Sequence, residues 1–301
     1  MENSILIARL KGIIIPNIIA VTGLALQNHF KVDDGTLVFS EFVIIPILIG
    51  FMSAWFWRNI TTDTSTLFTS PILTTLVALA FSALILKEGV ICLIIVSPIL
   101  YVFITLGLSL GRLAFRKNKK TLNISFVSLL LLIFAVDSVS EHRYENMVAD
   151  TLVINAPPEK VWSHVVSFEK IKQPNHYWLF QIGMPSPSET TVTGNYEGAG
   201  RKCIFSNGYT FDEVISTYEP NKNLTFDIVG QPRDPEIMGH IDILRGQFLL
   251  TDNHDGTTTL TGNSWYRLYV FPAWYYDIWS RSVTRNVHFR VMEHIKELSE
   301  K

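Results

Sequence analysis

Between Trp265 and Trp279, eight of the fifteen residues are aromatic: Trp265, Tyr266, Tyr269, Phe271, Trp274, Tyr275, Tyr276 and Trp279. Such side chains join a large apolar body to a polar handle, which suits a pocket for a hydrophobic ligand; a packed core or a belt beside a bilayer uses the same residues. Further on, His288 lies three and seven residues before Val291 and Ile295, so it shares their helical face. There it is either a core histidine that has found a partner or a polar anchor inside a cavity. Asp277, Arg281 and Arg285 follow one another at one-turn spacing, the usual pattern of a solvated helix face. The candidate ligand-binding residues are Phe226, Phe248, Trp265, Tyr266, Tyr275, Trp279, Val283 and His288.

Other chemistries are not encoded. The eight histidines and two cysteines include no pair at HxxxH or CxxC spacing, so no metal site is expected. No Gly-x-Ser-x-Gly elbow, P-loop or dinucleotide fingerprint occurs, and Gly198-Ala199-Gly200 leads into a strand and not a helix. The expectation is no cofactor, no covalent nucleophile and no catalytic residue, so binding is favoured over enzymatic turnover. Cys92 and Cys203 are too few for a disulfide framework.

The elements that must position the aromatic and mixed residues begin at TLVINAPPEKVWSHV (151–165), where a short alternating strand runs into Pro157-Pro158 and a helix. Turn-rich residues follow, and then strand-like runs over 191–198, 201–208, 209–220, 223–230, 242–252 and 257–270. Asp255-Gly256 marks a hairpin between the last two. Apolar residues at spacing four, from Tyr275 through Val283 and Val291 to Ile295, predict one long amphipathic helix over 273–299. The facing of Asp212, Glu213, His240 and Arg245 is not fixed by alternation. The order predicts an α+β helix-grip domain over 147–301, a curved antiparallel sheet wrapped on a long C-terminal helix.

These residues resemble a family. TLVINAPPEKVWSHV, EGAGRKCIFSNGYTFDEVISTYEP, RGQFLLTDNHDGTTTLTGNSWYRL and the terminal helix, in this order and spacing, are similar to the START-like or Bet v 1-like superfamily, which includes polyketide cyclases and lipid-transfer domains. The resemblance covers about 148–300. It implies a domain that binds apolar or amphipathic molecules, with enzymes among its relatives.

The first 140 residues resemble no such family and read as an all-α membrane bundle. The chain is 48% hydrophobic, and the excess is concentrated in five stretches near the length needed to cross a bilayer: 12–28, 38–57, 67–86, 90–111 and 121–139. Lys and Arg favour cytoplasmic connections. Arg9 and Lys11, Arg58, and the group Arg112, Arg116, Lys117, Lys119 and Lys120 fall on one side; Lys31 with Asp33 and Asp34, and Lys87 with Glu88, fall on the other. The expectation is a multi-pass protein of the plasma (inner) membrane with a cytoplasmic N-terminus and, if 121–139 crosses, an extracytoplasmic C-terminal domain. Glu41 and Asp137 are the carboxylates inside the apolar runs, both near their ends and expected at the interface.

Charge narrows the partners. Up to Ser140 there are 10 Lys+Arg against 7 Asp+Glu, and from Glu141 onward 15 against 20, so the second half is acidic and no nucleic-acid partner is expected. The expected partners are the membrane and a hydrophobic small molecule or lipid. A membrane-tethered binding domain is the leading expectation; a cyclase- or dehydrase-like enzyme and an interaction or sensor module for the bundle are the alternatives.

Overall fold

A computed structural model describes residues 2–29, 36–60, 64–117, 124–233, 236 and 240–301. Lys31, Asp33, Asp34, Lys119 and Lys120, on which part of the orientation reading rests, lie outside the described residues. The chain divides into two compact units, Met1–Arg143 with Tyr269–Pro272, and Tyr144–Leu268 with Ala273–Lys301.

The first unit is helical. Its helices are α1 (Glu2–His29), α2 (Ile45–Phe56, continuing a π-helical turn Ser40–Ile44), α3 (Thr64–Phe81, running into a π-helical turn Ser82–Leu86), α4 (Val90–Lys117) and α5 (Ile124–Asp137). Three stretches are long and apolar enough to cross a membrane, Ile5–Gln27, Thr69–Leu86 and Val90–Phe115. The other two of the five expected segments are shorter apolar helices over Ser40–Phe56 and Ser128–Asp137. Helices α2 and α4 meet backbone to backbone, because a Cβ on Gly50 would lie 2.0 Å from Ile104 O and one on Gly107 2.0 Å from Ile47 O. Small residues at such a contact let the two helix backbones approach this closely. Polar side chains inside this unit are bonded as well: Asn17 Nδ2 donates to Ile13 O, and Ser53 Oγ donates to Gly12 O. Asp137 is buried, with Oδ2 accepting from Ser40 N at 2.6 Å and Oδ1 2.6 Å from His142 Nε2.

The second unit is the helix-grip domain. Its elements are β1 (Tyr144–Ile154), α6 (Pro158–Val166), α7 (Trp178–Gln181), β2 (Pro187–Val192), β3 (Gly200–Phe205), β4 (Thr210–Glu219), β5 (Asn223–Gly230), β6 (Ile241–Asp252), β7 (Thr258–Leu268) and α8 (Ala273–Ser299). The sheet is antiparallel throughout, in the order β1-β7-β6-β5-β4-β3-β2, and it curls around α8. Pro158 opens α6 where its missing N–H costs nothing, and Val161, Trp162 and Val165 turn inward. Gly256, at φ +86, makes the turn between β6 and β7.

Besides β1, which begins before the short strand expected at 151, a second strand differs from the sequence expectation. Residues 191–198 form only the end of β2 and a turn, in which Thr193 Oγ1 accepts from Gly200 N at 2.9 Å and Gly198 takes φ +91. The strand lies earlier, at Pro187–Val192, beginning on the last proline of a Pro-Ser-Pro stretch that reads as turn. Since β2 is the last strand of the sheet, a proline as its first residue removes no ladder hydrogen bond.

Every second residue of a strand faces α8, and these residues form the core with the helix. Ile154, Leu224, Phe226, Phe248, Leu250 and Leu260 meet Val291, Met292 and Ile295 there, with α6 closing one end through Val161, Trp162 and Val165.

Candidate functional site

The register of β1 against β7 sets Asp150 opposite Gly262 and Val148 opposite Ser264. Asp150 and Ser264 thus stand on neighbouring strands, and α8 brings His288 between them. His288 Nδ1 lies 2.9 Å from Asp150 Oδ2, and Nε2 lies 2.8 Å from Ser264 Oγ. Gly262 permits the approach, since a Cβ there would sit 3.3 Å from Met292 Sδ and 3.6 Å from His288 Cγ.

Burial fixes the protonation pattern. The His288 side chain is 5% exposed and that of Asp150 8%. Desolvation holds the imidazole below its ordinary pKa, against the hydrogen bond and charge of Asp150, which favour the proton. A neutral ring facing a carboxylate keeps its hydrogen on Nδ1, which leaves the Nε2 lone pair to accept from the Ser264 hydroxyl. Arg285 Nε, 3.4 Å from Asp150 Oδ1, balances the carboxylate from the solvent side. An oriented, unprotonated Nε2 of this kind can act as a base toward the group it faces, here the Ser264 hydroxyl.

A second polar group lies nearer the start of α8. Tyr266 Oη donates to Asp277 Oδ1 at 2.6 Å, and Asn146 Nδ2 donates to the same oxygen at 2.9 Å. Burial, and then Asp277, push the Tyr266 phenol well above its usual range. Asp277 is therefore buried, which corrects the reading of Asp277, Arg281 and Arg285 as one solvated face. Asp277 shares the sheet-facing stripe with Thr284, His288 and Val291, and only Arg281 and Arg285 are exposed. Further into the sheet, Arg201 and Glu213 form a buried ion pair; Arg201 Nε also donates to Val166 O, and its guanidinium covers the Phe226 ring at 4.4 Å. Burial pushes the nearby Cys203 thiol up to about 12, so it stays protonated and is a poor nucleophile.

The eight residues singled out from the sequence fall into separate surroundings. Phe226 and Phe248 pack 6.3 Å apart in the core, and Tyr266 is fully buried. Trp265, one residue before Tyr266 on the same strand, points to the opposite face. Tyr275 contacts Trp274 and Tyr276; Trp279 sits against Trp178, and both Trp279 and Val283 are half-buried. His288 alone of the eight joins Asp150 and Ser264.

A cleft of about 370 Å³ opens on another face of α8. Asn286, Phe289, Arg290, Glu293 and Glu297 recur at three- and four-residue spacing, and their face points away from the sheet-facing stripe of Thr284, His288, Val291 and Ile295. The opposite wall is the segment 171–180, which runs from the α6–α7 connection into α7, where Ile171, Tyr177 and Phe180 supply apolar surface. Ile171 N donates to Ser188 O at 2.7 Å and Tyr177 Oη lies 3.0 Å from Ser282 Oγ, so this wall is pinned at both ends. None of the eight expected residues lines this cleft. Its residues carry little signal in the sequence, because the wall belongs to a segment with neither helical nor strand periodicity.

Comparison with known proteins places the domain. Residues 147–300 match the model of a family described as polyketide cyclase / dehydrase and lipid transport. No curated protein matches the chain. Among solved structures, a truncated norcoclaurine synthase from Thalictrum flavum is 9% identical over 52% of this chain and 94% of its own, with a TM-score of 0.36. A protein from Nitrosospira multiformis is 18% identical over 50% of this chain and 94% of its own, with a TM-score of 0.33. One from Mesorhizobium loti is 18% identical over 51% and 96%, also at 0.33.

Proposed function

The chain belongs to the polyketide cyclase / dehydrase and lipid transport family through residues 147–300, and from that premise we propose a membrane-tethered domain that binds a lipid-like or other hydrophobic small molecule. Membership supports a hydrophobic-ligand domain. The observation that carries the reading is the cleft of about 370 Å³ beside α8, which lies within the size range of small-molecule sites and sets the apolar surface of Ile171, Phe180 and Phe289 beside a larger number of polar side chains. The apolar helices of the first unit supply the anchor, and Ser138–Arg143 is the whole connection between α5 and β1. Seven such peptide steps reach at most about 25 Å, which keeps the domain at the bilayer surface and favours a ligand drawn from it. In this reading the N-terminus is cytoplasmic and the domain extracytoplasmic. The test is mass spectrometry of small molecules that co-purify with the full chain. A hydrophobic species retained by the wild type and lost in Phe180→Asp and Phe289→Asp is expected; the same yield in all three proteins would overturn the reading.

One observation favours a second reading, an enzyme of the cyclase or dehydrase kind on a hydrophobic substrate. His288 Nε2, oriented by Asp150 through the other ring nitrogen, accepts from the Ser264 hydroxyl and can serve as a general base through it. Turnover abolished in His288→Gln with ligand still bound would support it, and unchanged turnover would remove it.

A further inference from the structure

Three side-chain atoms on residues that line the cleft are buried and have no hydrogen-bond partner within the protein: Gln173 Oε1, Asn175 Oδ1 and His294 Nδ1. Buried polar atoms normally find partners, so three on one cleft form a pattern that needs a cause. Two have their character fixed by the groups on their other side. Gln173 Nε2 donates to Glu297, which orients the amide and leaves Oε1 as the unused acceptor. His294 donates Nε2–H to Glu169 O at 3.0 Å, so Nδ1 carries a lone pair. His294 itself is 6% exposed. All three atoms accept, and none donates.

The charges around them point the same way. Glu293 and Glu297 line the cleft, the latter shared with Lys301 at 2.9 Å. The cation in the lining, Arg290, is held by backbone through two of its five donors: Nε donates to Pro187 O at 3.0 Å and a terminal nitrogen to Gln173 O at 3.4 Å, so one guanidinium stands against the two carboxylates. An anionic group entering here would meet acceptors and carboxylates. A primary ammonium brings three donors, one positive charge and no acceptor, matching three bare acceptors beside carboxylates.

We propose that the cleft receives the primary ammonium end of an amphipathic molecule, with its apolar part laid on Ile171, Phe180 and Phe289. This rests on the binding reading above and adds the chemistry of the ligand's polar end. It also sets the ligand's polar end on the face of α8 opposite the sheet-facing stripe, with the tail at the margin of the core that Phe226, Phe248, Met292 and Ile295 fill, where Ile171 and Phe289 pack.

The test uses the full chain in lipid nanodiscs, titrated with hexylammonium, hexanoate and hexan-1-ol, three water-soluble probes with one tail, against empty nanodiscs. Hexylammonium should bind at least about 10-fold tighter than hexanoate, the factor that charge-assisted hydrogen bonds confer. Gln173→Leu and His294→Phe should each weaken hexylammonium by a similar factor and leave hexan-1-ol nearly unchanged. Gln173 is only half-buried, so its variant keeps the test open if His294→Phe fails to fold. Hexanoate binding as tightly as hexylammonium, or undiminished hexylammonium binding in the folded variants, would overturn the ammonium inference and leave the hydrophobic cleft standing. Binding of none of the three would overturn both. Short-chain phosphatidylethanolamine and phosphatidylcholine, both with six-carbon chains, identify the source: preference for the first indicates a lipid head group, and equal weak binding beside tight hexylammonium indicates a free amine.

Discussion

Asp150 on β1 holds His288 on α8, its Oδ2 2.9 Å from the ring Nδ1 across 138 residues of sequence. The contact ties the first strand of the domain to its last helix, and Nδ1–H donates to the carboxylate whether the ring is neutral or charged, so Asp150 works against the burial that opposes protonation. Burial is the largest influence on this imidazole, and it keeps the proton off.

The sign of the pH dependence follows. The folded pKa of His288 lies below its ordinary 6.5. As pH falls through that value the unfolded chain takes up a proton before the folded one does, so stability is full above about pH 6.5 and declines below it. Desolvation shifts His164 and His294 in the same direction, so they add to the decline. Hydrogen exchange of β1 and α8 amides should therefore lose protection between about pH 7.5 and about pH 5.5. In His288→Gln the loss should be smaller by one histidine's share. An identical loss in both proteins would mean that His288 does not titrate as argued.

The Arg201–Glu213 pair makes a separate prediction. Both side chains are almost wholly buried, so removal of one leaves an uncompensated charge or donor set in the core. Glu213→Leu and Arg201→Met should each cost about 3–5 kcal/mol, and the double change Arg201→Met with Glu213→Leu should recover most of it. Denaturant unfolding of the four proteins checks this through the double-mutant cycle; additive losses would contradict it.

Much of this frame is legible in the sequence, because periodicity is a local property. Spacing-four apolar residues give α8 over 273–299, its observed bounds, and β-branched runs give β5 at 223–230. The polar interior is not local. The alternating signal of β1 is clean only from Leu152, since Glu145, Asn146 and Asp150 interrupt it, so the strand's first eight residues and the key carboxylate escape notice. Ser264 is one small residue in GNSWYRL beside two large aromatic ones, and only the pairing of β7 with β1 shows that it faces His288. The cleft depends on 171–180 folding back on α8, a contact of high sequence separation that no short pattern encodes.

Topology can be checked directly. The Lys and Arg asymmetry across the five apolar segments read from the sequence predicts that Lys119 is cytoplasmic and Cys203 extracytoplasmic. A reporter active only in the cytoplasm should be silent when fused after Glu145 and active when fused after Lys119. Activity at both points would mean that 121–139 does not cross.

Trp279 and Phe248 are both large aromatics expected to line a pocket, yet they stand in different surroundings. Phe248 is 7% exposed, packed against Phe226 within the core that Met292 and Ile295 fill. Truncation there removes buried surface and leaves a void among neighbours fixed on strands and helix, so Phe248→Ala should cost about 3–5 kcal/mol. Trp279 is half-buried, and the ring it meets, Trp178, is itself 46% exposed. Part of the indole already borders water, and Trp178 can move toward the gap, so Trp279→Ala should cost less than about half as much. The measurement is denaturant unfolding of the two variants beside the wild type, with retention of co-purifying ligand followed in parallel. Equal large losses would place Trp279 in the core as firmly as Phe248. A small loss of stability with ligand released would extend the binding surface from the cleft toward the N-terminal end of α8, while a small loss with ligand retained would confine that surface to the wall formed by Ile171, Phe180 and Phe289.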